Sequence, residues 1–122
     1  MQEECLMQVT VGKCGPVHAR VRAPPSKSYT HRALILAGLA DGRSIITGQL
    51  DADDTRITAR ALGMLGVRIS WEKNRITVDG TAGRLLVPVD PIDSEDSGTS
   101  MRLITAVCLL SGGPVMLTGS AR

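Results

Sequence analysis

Aromatic side chains are almost absent from this 122-residue chain, which contains one Trp, one Tyr and no Phe. The core must therefore be aliphatic, and a hydrophobic content of 43% is enough to build one at this size. The lack of aromatic platforms, together with a net charge of only +2 that is spread along the chain, argues against nucleic-acid binding. These numbers predict one ordinary globular domain.

Long apolar runs and paired cysteines are missing as well. No window approaches about 18 continuous apolar residues, and the first residues lack the basic start and apolar centre of a signal peptide. We therefore expect a soluble, cytoplasmic protein. Cys5, Cys14 and Cys108 are odd in number and have no CxxC spacing, which indicates neither a disulfide framework nor a zinc site.

The N-terminal third of the chain predicts two strands and a helix. Residues 5–11 and 17–22 alternate apolar with polar side chains around a Lys-Cys-Gly-Pro turn, which indicates a hairpin or two sequential strands. Ser26 or Ser28 then caps a helix that runs to about Ala40.

Further along, a strand over residues 43–50 leads to a second helix, which Asp53 or Asp54 caps and Gly66 ends. The apolar face of that helix consists of Ile57, Ala61, Leu62 and Leu65. Two strands over residues 67–80 follow and pair through a tight turn. The predicted order is β-α-β-α-β-β.

The pattern of the first helix returns 70 residues later, which indicates an internal repeat. The matched pairs are Arg32 with Arg102, Leu34 with Ile104, Leu39 with Leu109 and Gly42 with Gly112. Residues 101–110 are apolar nearly all round, so we expect a buried helix with only its tip at a cleft. Because the second copy stops after one helix and one strand, we also expect a larger parent protein that has been cut or split.

Residues 24–40, PPSKSYTHRALILAGLA, collect their hydrogen-bonding groups at one end. The first turn of a helix has unpaired N–H groups and the positive end of the helix dipole, which suits anions. Lys27 adds a point charge, Arg32 a planar fork, and Ser28 a donor on the same face as Arg32. The pattern predicts an anion cradle, and the alternative is a capped helix with exposed basic residues.

The repeat favours the cradle. Its second copy offers Ser97, Gly98, Thr99 and Ser100 before Arg102, and the glycine lets a ligand approach the backbone closely. Two related helix starts, each with hydroxyl groups and an arginine, would suit ligands that carry two or more anionic groups.

Other polar residues have plainer interpretations. His31 has no identifiable partner and is assigned a structural or solvent-facing role. The acidic residues at 51, 53 and 54 lack EF-hand spacing, so helix capping is favoured over metal binding. Trp71 is assigned to packing, and no GxSxG, Walker or GxGxxG motif is present.

Three stretches, PSKSYTHRALILAGLADGRS, LDADDTRITARALGMLGV and SGTSMR, together resemble the 5-enolpyruvylshikimate-3-phosphate synthase family, and SKSYTHRA is most similar to archaeal members. The resemblance implies an α/β fold (α+β in some schemes), the enolpyruvyl transferase fold of βαβαββ repeats, with one full repeat and part of a second here. It also implies that residues 1–22 form N-terminal strands paired with a missing domain. Residues 23–80 would be the first unit and residues 81–122 a truncated second unit.

The same resemblance implies a transferase that joins phosphoenolpyruvate to the 5-hydroxyl of shikimate 3-phosphate through a tetrahedral addition intermediate, which then loses phosphate. No metal or other cofactor, nucleic acid or membrane is implied. Lys27 matches the family's catalytic lysine, which contacts both substrates, and Ser28 and Arg32 match ligands of shikimate 3-phosphate. Asp54 matches a family acid near the cleft that supports Lys27 or its helix.

On the phosphoenolpyruvate side, Gly98 matches the glycine whose backbone lies against this substrate and against the inhibitor glyphosate, with Thr99 and Arg102 in support. Glu95 and Asp96 depart from the family, which usually has Gly-Asn here. We expect their negative charges to weaken phosphoenolpyruvate binding by repulsion, unless Asp96 supports the loop as a helix cap.

The end of the chain is the second departure from the family. The Arg-containing segment that clamps phosphoenolpyruvate, and the domain with the acid/base residues, would lie beyond Arg122. We therefore expect the chain alone to be inactive and the missing C-terminal portion to be its partner. Two alternatives stay open: a noncatalytic module that binds a phosphorylated metabolite, and one subunit of a split enzyme.

Overall fold

Three α-helices and five β-strands make up the computed structural model, which describes residues 9–121. In chain order they are α1 (Lys27–Leu39), β1 (Arg43–Thr47), α2 (Asp53–Met64), β2 (Arg68–Trp71), β3 (Arg75–Asp79), β4 (Ile92–Asp93), α3 (Gly98–Cys108) and β5 (Leu117–Thr118). Strands β1, β3 and β2 form an antiparallel sheet in that order, whereas β4 and β5 pair in parallel. No helix in this part of the chain is long and apolar enough to cross a membrane.

Helix α1 begins at Lys27 because Ser26 caps it. The Ser26 hydroxyl accepts a hydrogen bond from the backbone N–H of Tyr29 over 3.4 Å. Of the two predicted caps, Ser26 and Ser28, the structure therefore has Ser26. Leu34 and Ala37 turn inward from the middle of the helix and are buried. The polar residues of the first turns therefore stand apart from the apolar body of α1.

The C-terminal end of α1 is fixed by the segment that follows β3. The backbone N–H of Thr81 donates to the carbonyl of Gly38 over 2.9 Å, which satisfies an acceptor that the helix end leaves free. Gly80 makes this approach possible, since a Cβ atom there would collide with the carbonyl oxygen of Ala40. The C-terminal end of α1 is thus anchored on the sheet.

Helix α2 corrects one prediction, because neither Asp53 nor Asp54 caps it. The N-cap residue is Ala52, whose backbone N–H donates to the Thr55 hydroxyl over 3.1 Å. Both aspartates lie instead in the first turn, where the helix dipole favours a carboxylate. The predicted apolar face is confirmed by the burial of Ile57, Ala61, Leu62 and Leu65. Gly66, at φ +96°, follows the end of the helix as predicted.

The predicted pairing of the next two strands is confirmed. β2 and β3 are antiparallel, with Arg68 opposite Asp79 and Trp71 opposite Ile76, and β1 lies on the other side of β3. The large aliphatic side chains with the least exposure, which form the core between helices and sheet, are Leu34, Leu62, Leu65, Ile76, Val78, Ile92 and Ile104.

The N-terminal strands are the main error of the sequence prediction. Residues 5–8 lie outside the described part of the chain, but residues 9–22, which include the predicted second strand, have no regular secondary structure and are exposed throughout. An isolated pair of strands is marginally stable without a third strand or a helix to pack on, and alternation alone does not provide one. The division of the chain at residues 22 and 80 stays a prediction.

Helix α3 corrects the expectation of a helix buried all round. Ser100, Ile104 and Val107 are buried, whereas Leu109 and Leu110, just beyond the helix end, are 82% and 55% exposed. Within residues 9–121, α3 packs mainly against α2, and this contact covers only one side of it. Its start lies 71 residues after that of α1, close to the predicted repeat.

Candidate functional site

The first turns of α1 and α2 meet through Lys27 and Asp54. The Lys27 ammonium donates to Asp54 Oδ2 over 2.5 Å. This hydrogen bond, followed by one from the hydroxyl of Ser97, the N-cap residue of α3, holds the pKa of Asp54 below its ordinary value. Asp54 therefore stays ionised at neutral pH and joins the starts of α1 and α3.

The first turns of α1 present hydrogen-bond donors to solvent. Arg32 Nη1 donates to the backbone carbonyl of Ser28 over 3.1 Å, which holds the guanidinium group against the first turn of the helix. Both residues are exposed. Among residues 9–121, the Ser28 hydroxyl and the other N–H groups of Arg32 make no hydrogen bond. Lys27, Ser28 and Arg32 thus form one open cluster of donors at the positive end of a helix dipole.

The start of α3 presents a second cluster. The Ser97 hydroxyl caps this helix by accepting from the backbone N–H of Ser100 over 3.2 Å. Gly98 is the first helical residue, and the nearest atom to a Cβ built on it would be Arg102 Nη1, at 3.8 Å. Thr99 and Arg102 are exposed, and their side chains make no hydrogen bond or ion pair within the described part of the chain.

Each of the two acidic side chains before α3 has a hydrogen-bond partner. Glu95 Oε1 accepts from Arg60 Nη2 over 2.7 Å, so a cation balances this charge. Asp96 is not the helix cap, because Ser97 has that position, and its carboxylate instead accepts from the Ser120 hydroxyl. A shallow cavity of about 260 Å³ lies beside these residues, with Gly98 in its wall. The repulsion predicted for these two carboxylates stays a prediction.

His31 lies beneath the first cluster and is 1% exposed. Its Nδ1 atom lies 2.8 Å from the hydroxyl of Thr58 on α2, and burial lowers its pKa below the ordinary value of 6.5. Of the two predicted alternatives, His31 therefore has the structural role and does not face solvent. Sequence reasoning did not select Thr58, although a hydroxyl on the apolar face of α2 was a usable signal.

Ion pairs account for two of the acidic residues at the start of α2, Asp51 and Asp54. Asp51 accepts two hydrogen bonds from Arg56, each 2.7 Å long, and Asp54 binds Lys27. No three His, Cys, Asp or Glu side chains in residues 9–121 come together as metal ligands would. The Arg56 guanidinium also stacks over the ring of Trp71 at 4.1 Å, in keeping with the packing role predicted for this residue.

A family model for EPSP synthase (3-phosphoshikimate 1-carboxyvinyltransferase) matches residues 11–122. The chain belongs to the EPSP synthase family. The family resemblance of the three sequence stretches is thereby confirmed, and the match extends over almost the whole chain.

Two curated archaeal relatives are both named 3-phosphoshikimate 1-carboxyvinyltransferase. The one from Methanospirillum hungatei is 65% identical over 95% of this chain and 27% of its own length. The one from Methanoculleus marisnigri is 50% identical over 95% of this chain and 28% of its own length. The chain thus spans about a quarter of the length of these EPSP synthase relatives.

A solved structure of EPSP synthase from Acinetobacter baumannii has the same fold. It superposes with a TM-score of 0.76 at 31% identity, over 80% of this chain and 22% of that protein. The predicted α/β class is confirmed by this match. The roles predicted for individual site residues stay predictions.

Proposed function

We propose that the chain is the N-terminal part of an EPSP synthase, which moves the enolpyruvyl group of phosphoenolpyruvate to the 5-hydroxyl of shikimate 3-phosphate. The hydroxyl oxygen adds to the enol carbon and the methylene carbon takes up a proton. Loss of phosphate and of one proton then restores the double bond. Besides family membership, one observation carries the proposal: the Lys27–Asp54 pair stands between two helix starts that hold unpaired donors.

Shikimate 3-phosphate would bind at the start of α1. A phosphate there would meet the planar fork of Arg32, the hydroxyl of Ser28 and the free N–H groups of the first turn, which are the usual partners of phosphate oxygens. Lys27 would be the catalytic residue, because its ammonium group lies where two anionic substrates would meet and would offset their repulsion. Asp54 would orient that ammonium through its 2.5 Å contact.

Phosphoenolpyruvate, or the inhibitor glyphosate in its place, would bind at the start of α3. The missing side chain of Gly98 leaves room for an anion beside the guanidinium of Arg102, and Thr99 adds a hydroxyl. Asp96 would support this loop through its contact with Ser120.

The remainder of a full-length enzyme is the proposed partner, because relatives named 3-phosphoshikimate 1-carboxyvinyltransferase are about four times as long as the matched region. We propose that residues 1–22 form strands only when that remainder is present, that residues 23–80 form the first unit, and that residues 81–122 begin the second. A cytoplasmic location stays part of this proposal.

The test is a two-dimensional amide NMR titration of the ¹⁵N-labelled chain with shikimate 3-phosphate, followed by phosphoenolpyruvate. We expect the first ligand to shift Lys27, Ser28, Arg32 and their neighbours, and the second to shift the start of α3. Arg68→Ala, an exposed arginine on the sheet, is the matched control for Arg32→Ala. A well-dispersed spectrum that neither ligand changes would contradict the proposed site.

A further inference from the structure

The hydroxyl of Ser100 joins α3 to the main chain of α2. Ser100 is fully buried, with 0% of its surface exposed, and it lies two positions after Gly98. Its Oγ atom donates to the backbone carbonyl of Asp54 over 3.0 Å, and a carbonyl oxygen can only accept. Asp54 therefore holds two elements at once, since its main chain binds α3 and its carboxylate binds the Lys27 ammonium.

A second buried hydroxyl supports this hydrogen bond from α2. Thr58 Oγ1 lies 2.8 Å from Ser100 Oγ, and both side chains are 0% exposed. Because Ser100 gives its single proton to the Asp54 carbonyl, Thr58 must be the donor in this contact. The hydrogen bond from Ser100 to Asp54 therefore needs no proton from Thr58, and it can persist when the Thr58 hydroxyl is removed.

Further along α3, the buried side chains are apolar. Ile104 and Val107 are buried on the same helix as Ser100 and belong to the hydrophobic core. Apolar packing has no direction, whereas a hydrogen bond restricts the donor–acceptor distance to a range of about half an ångström. The apolar contacts therefore hold the body of α3, and the Ser100 hydroxyl sets where its first turn lies.

We propose that Ser100 is a positioning residue, which keeps the first turn of α3 in register with Asp54 and Lys27. The inference rests on the proposed function, in which phosphoenolpyruvate binds beside Gly98 and Thr99 in that turn and also meets Lys27. Ser100 is buried and would touch no substrate, so it acts through the two helix starts that its hydrogen bond joins. Shikimate 3-phosphate does not depend on this register, because its proposed ligands all lie on α1.

A merely structural hydroxyl would contribute to the stability of the fold alone. Its loss would lower the free energy of unfolding but would leave the direction of α3 in the folded chain unchanged, and it would not separate the two substrates. Positioning requires more. In the folded chain, loss of the Ser100 hydroxyl must turn the start of α3 relative to α2, and it must weaken the binding of phosphoenolpyruvate but not of shikimate 3-phosphate.

The first measurement uses the full 122-residue chain, labelled with ¹⁵N and ¹³C, without any ligand. Amide residual dipolar couplings report the direction of the first turn of α3 relative to α2, and the ¹³C shift of the Asp54 carbonyl reports its hydrogen bond. We expect Ser100→Ala to change both. Thr58→Val is the matched buried control, because it removes a neighbouring hydroxyl but keeps the Ser100–Asp54 hydrogen bond, and both values should stay close to those of the unchanged chain.

The second measurement titrates the same variants with the two substrates. We expect Ser100→Ala to raise the Kd for phosphoenolpyruvate about fivefold relative to Thr58→Val, the value of one typical hydrogen bond, and to leave the Kd for shikimate 3-phosphate unchanged. Ser100→Thr should restore phosphoenolpyruvate binding because it returns a hydroxyl, even though its extra methyl group crowds a fully buried site. Thr105→Val, which removes an exposed α3 hydroxyl that donates to the Met101 carbonyl, should change neither Kd.

Two results would overturn the positioning role: an unchanged direction of α3 in a folded Ser100→Ala chain, or an equal loss of affinity for both substrates. If Ser100→Ala fails to fold, Ser100→Cys takes its place, since it keeps a small side chain with only a weak donor. If neither substrate binds the unchanged chain, the proposed function fails instead. Because the dipolar couplings need no ligand, the two failures are distinct.

Discussion

Lys27 Nζ lies 2.5 Å from Asp54 Oδ2, although the two residues are 27 positions apart in sequence and belong to different helices. The contact places a balanced pair of charges between the starts of α1 and α3, where two helix dipoles present their positive ends. An anion that binds there meets an ammonium whose position is already set by a carboxylate. Preorganisation of this kind lowers the cost of holding a charged group in one geometry.

The Lys27–Asp54 pair predicts a loss of stability in acid. The pKa of Asp54 is lowered by the Lys27 ammonium, so its contribution is present above the ordinary carboxyl value of 3.8 and is lost as the pH falls through the lower, folded value. Because Lys27 is half exposed, we expect no more than ~1 kcal/mol. Between pH 5 and pH 2.5, urea unfolding should show a smaller loss in the free energy of unfolding for Asp54→Asn than for the unchanged chain.

The control for that measurement is Asp53→Asn, which removes a neighbouring carboxylate of the same turn that forms no ion pair within residues 9–121. Asp53→Asn should lose as much free energy of unfolding between pH 5 and pH 2.5 as the unchanged chain. Equal losses for Asp54→Asn and Asp53→Asn would contradict a stabilising role for the Lys27–Asp54 pair.

Removal of either cation at the start of α1 should weaken recognition without unfolding the helix. We expect Lys27→Ala and Arg32→Ala each to raise the Kd for shikimate 3-phosphate at least about tenfold, because each deletes a charge-assisted hydrogen bond. Circular dichroism should change little, since both side chains are exposed or half exposed. Lys73→Ala, in the exposed turn between β2 and β3, is the control. Loss of the helical circular dichroism signal in Lys27→Ala or Arg32→Ala would show that these residues support the fold and do not act only in recognition.

Local signals were enough to predict the start of α1 and the apolar face of α2, but not the N-cap of α2. The Ser26 cap of α1 and the pairing of β2 with β3 depend on residues close in sequence, and both were predicted. The prediction of a strand over residues 17–22 was wrong for the chain alone, because alternation of apolar and polar residues indicates one strand but not the partner with which it must pair. The same limit applies to the site: Thr58 and Ser100 come from different helices, so their contact follows only from the packing of α2 against α3.

His31 predicts a second and separate loss of stability at mildly acidic pH. Burial lowers its pKa in the folded chain, against the opposing effect of Asp54 and with smaller lowering effects of Lys27 and Arg32. The unfolded chain therefore binds more protons below the ordinary value of 6.5, and stability falls as the pH drops from there through the folded value. We expect urea midpoints between pH 7.5 and pH 5 to fall in the unchanged chain and much less in His31→Asn.

The other histidine of the chain provides the control. His18 is exposed, so His18→Asn should preserve the fall in midpoint. If the fall in urea midpoint persisted in His31→Asn but disappeared in His18→Asn, its source would be His18. That result would contradict the prediction.

Asp96 is one of the two residues predicted to depart from the family's usual Gly-Asn at the proposed phosphoenolpyruvate site. Its negative charge stands two positions before Gly98, and Glu95, one position earlier, accepts from Arg60 over 2.7 Å. In a full-length enzyme that carries this chain, Asp96→Asn should lower the KM for phosphoenolpyruvate about two- to fivefold, as expected for removal of a nearby solvated like charge. Glu95→Gln is the matched control and should have a smaller effect, because it removes the same charge one position further from Gly98. An unchanged or higher KM in Asp96→Asn would mean that the hydrogen bond with Ser120 matters more than the repulsion, and that this carboxylate supports the loop as part of the site.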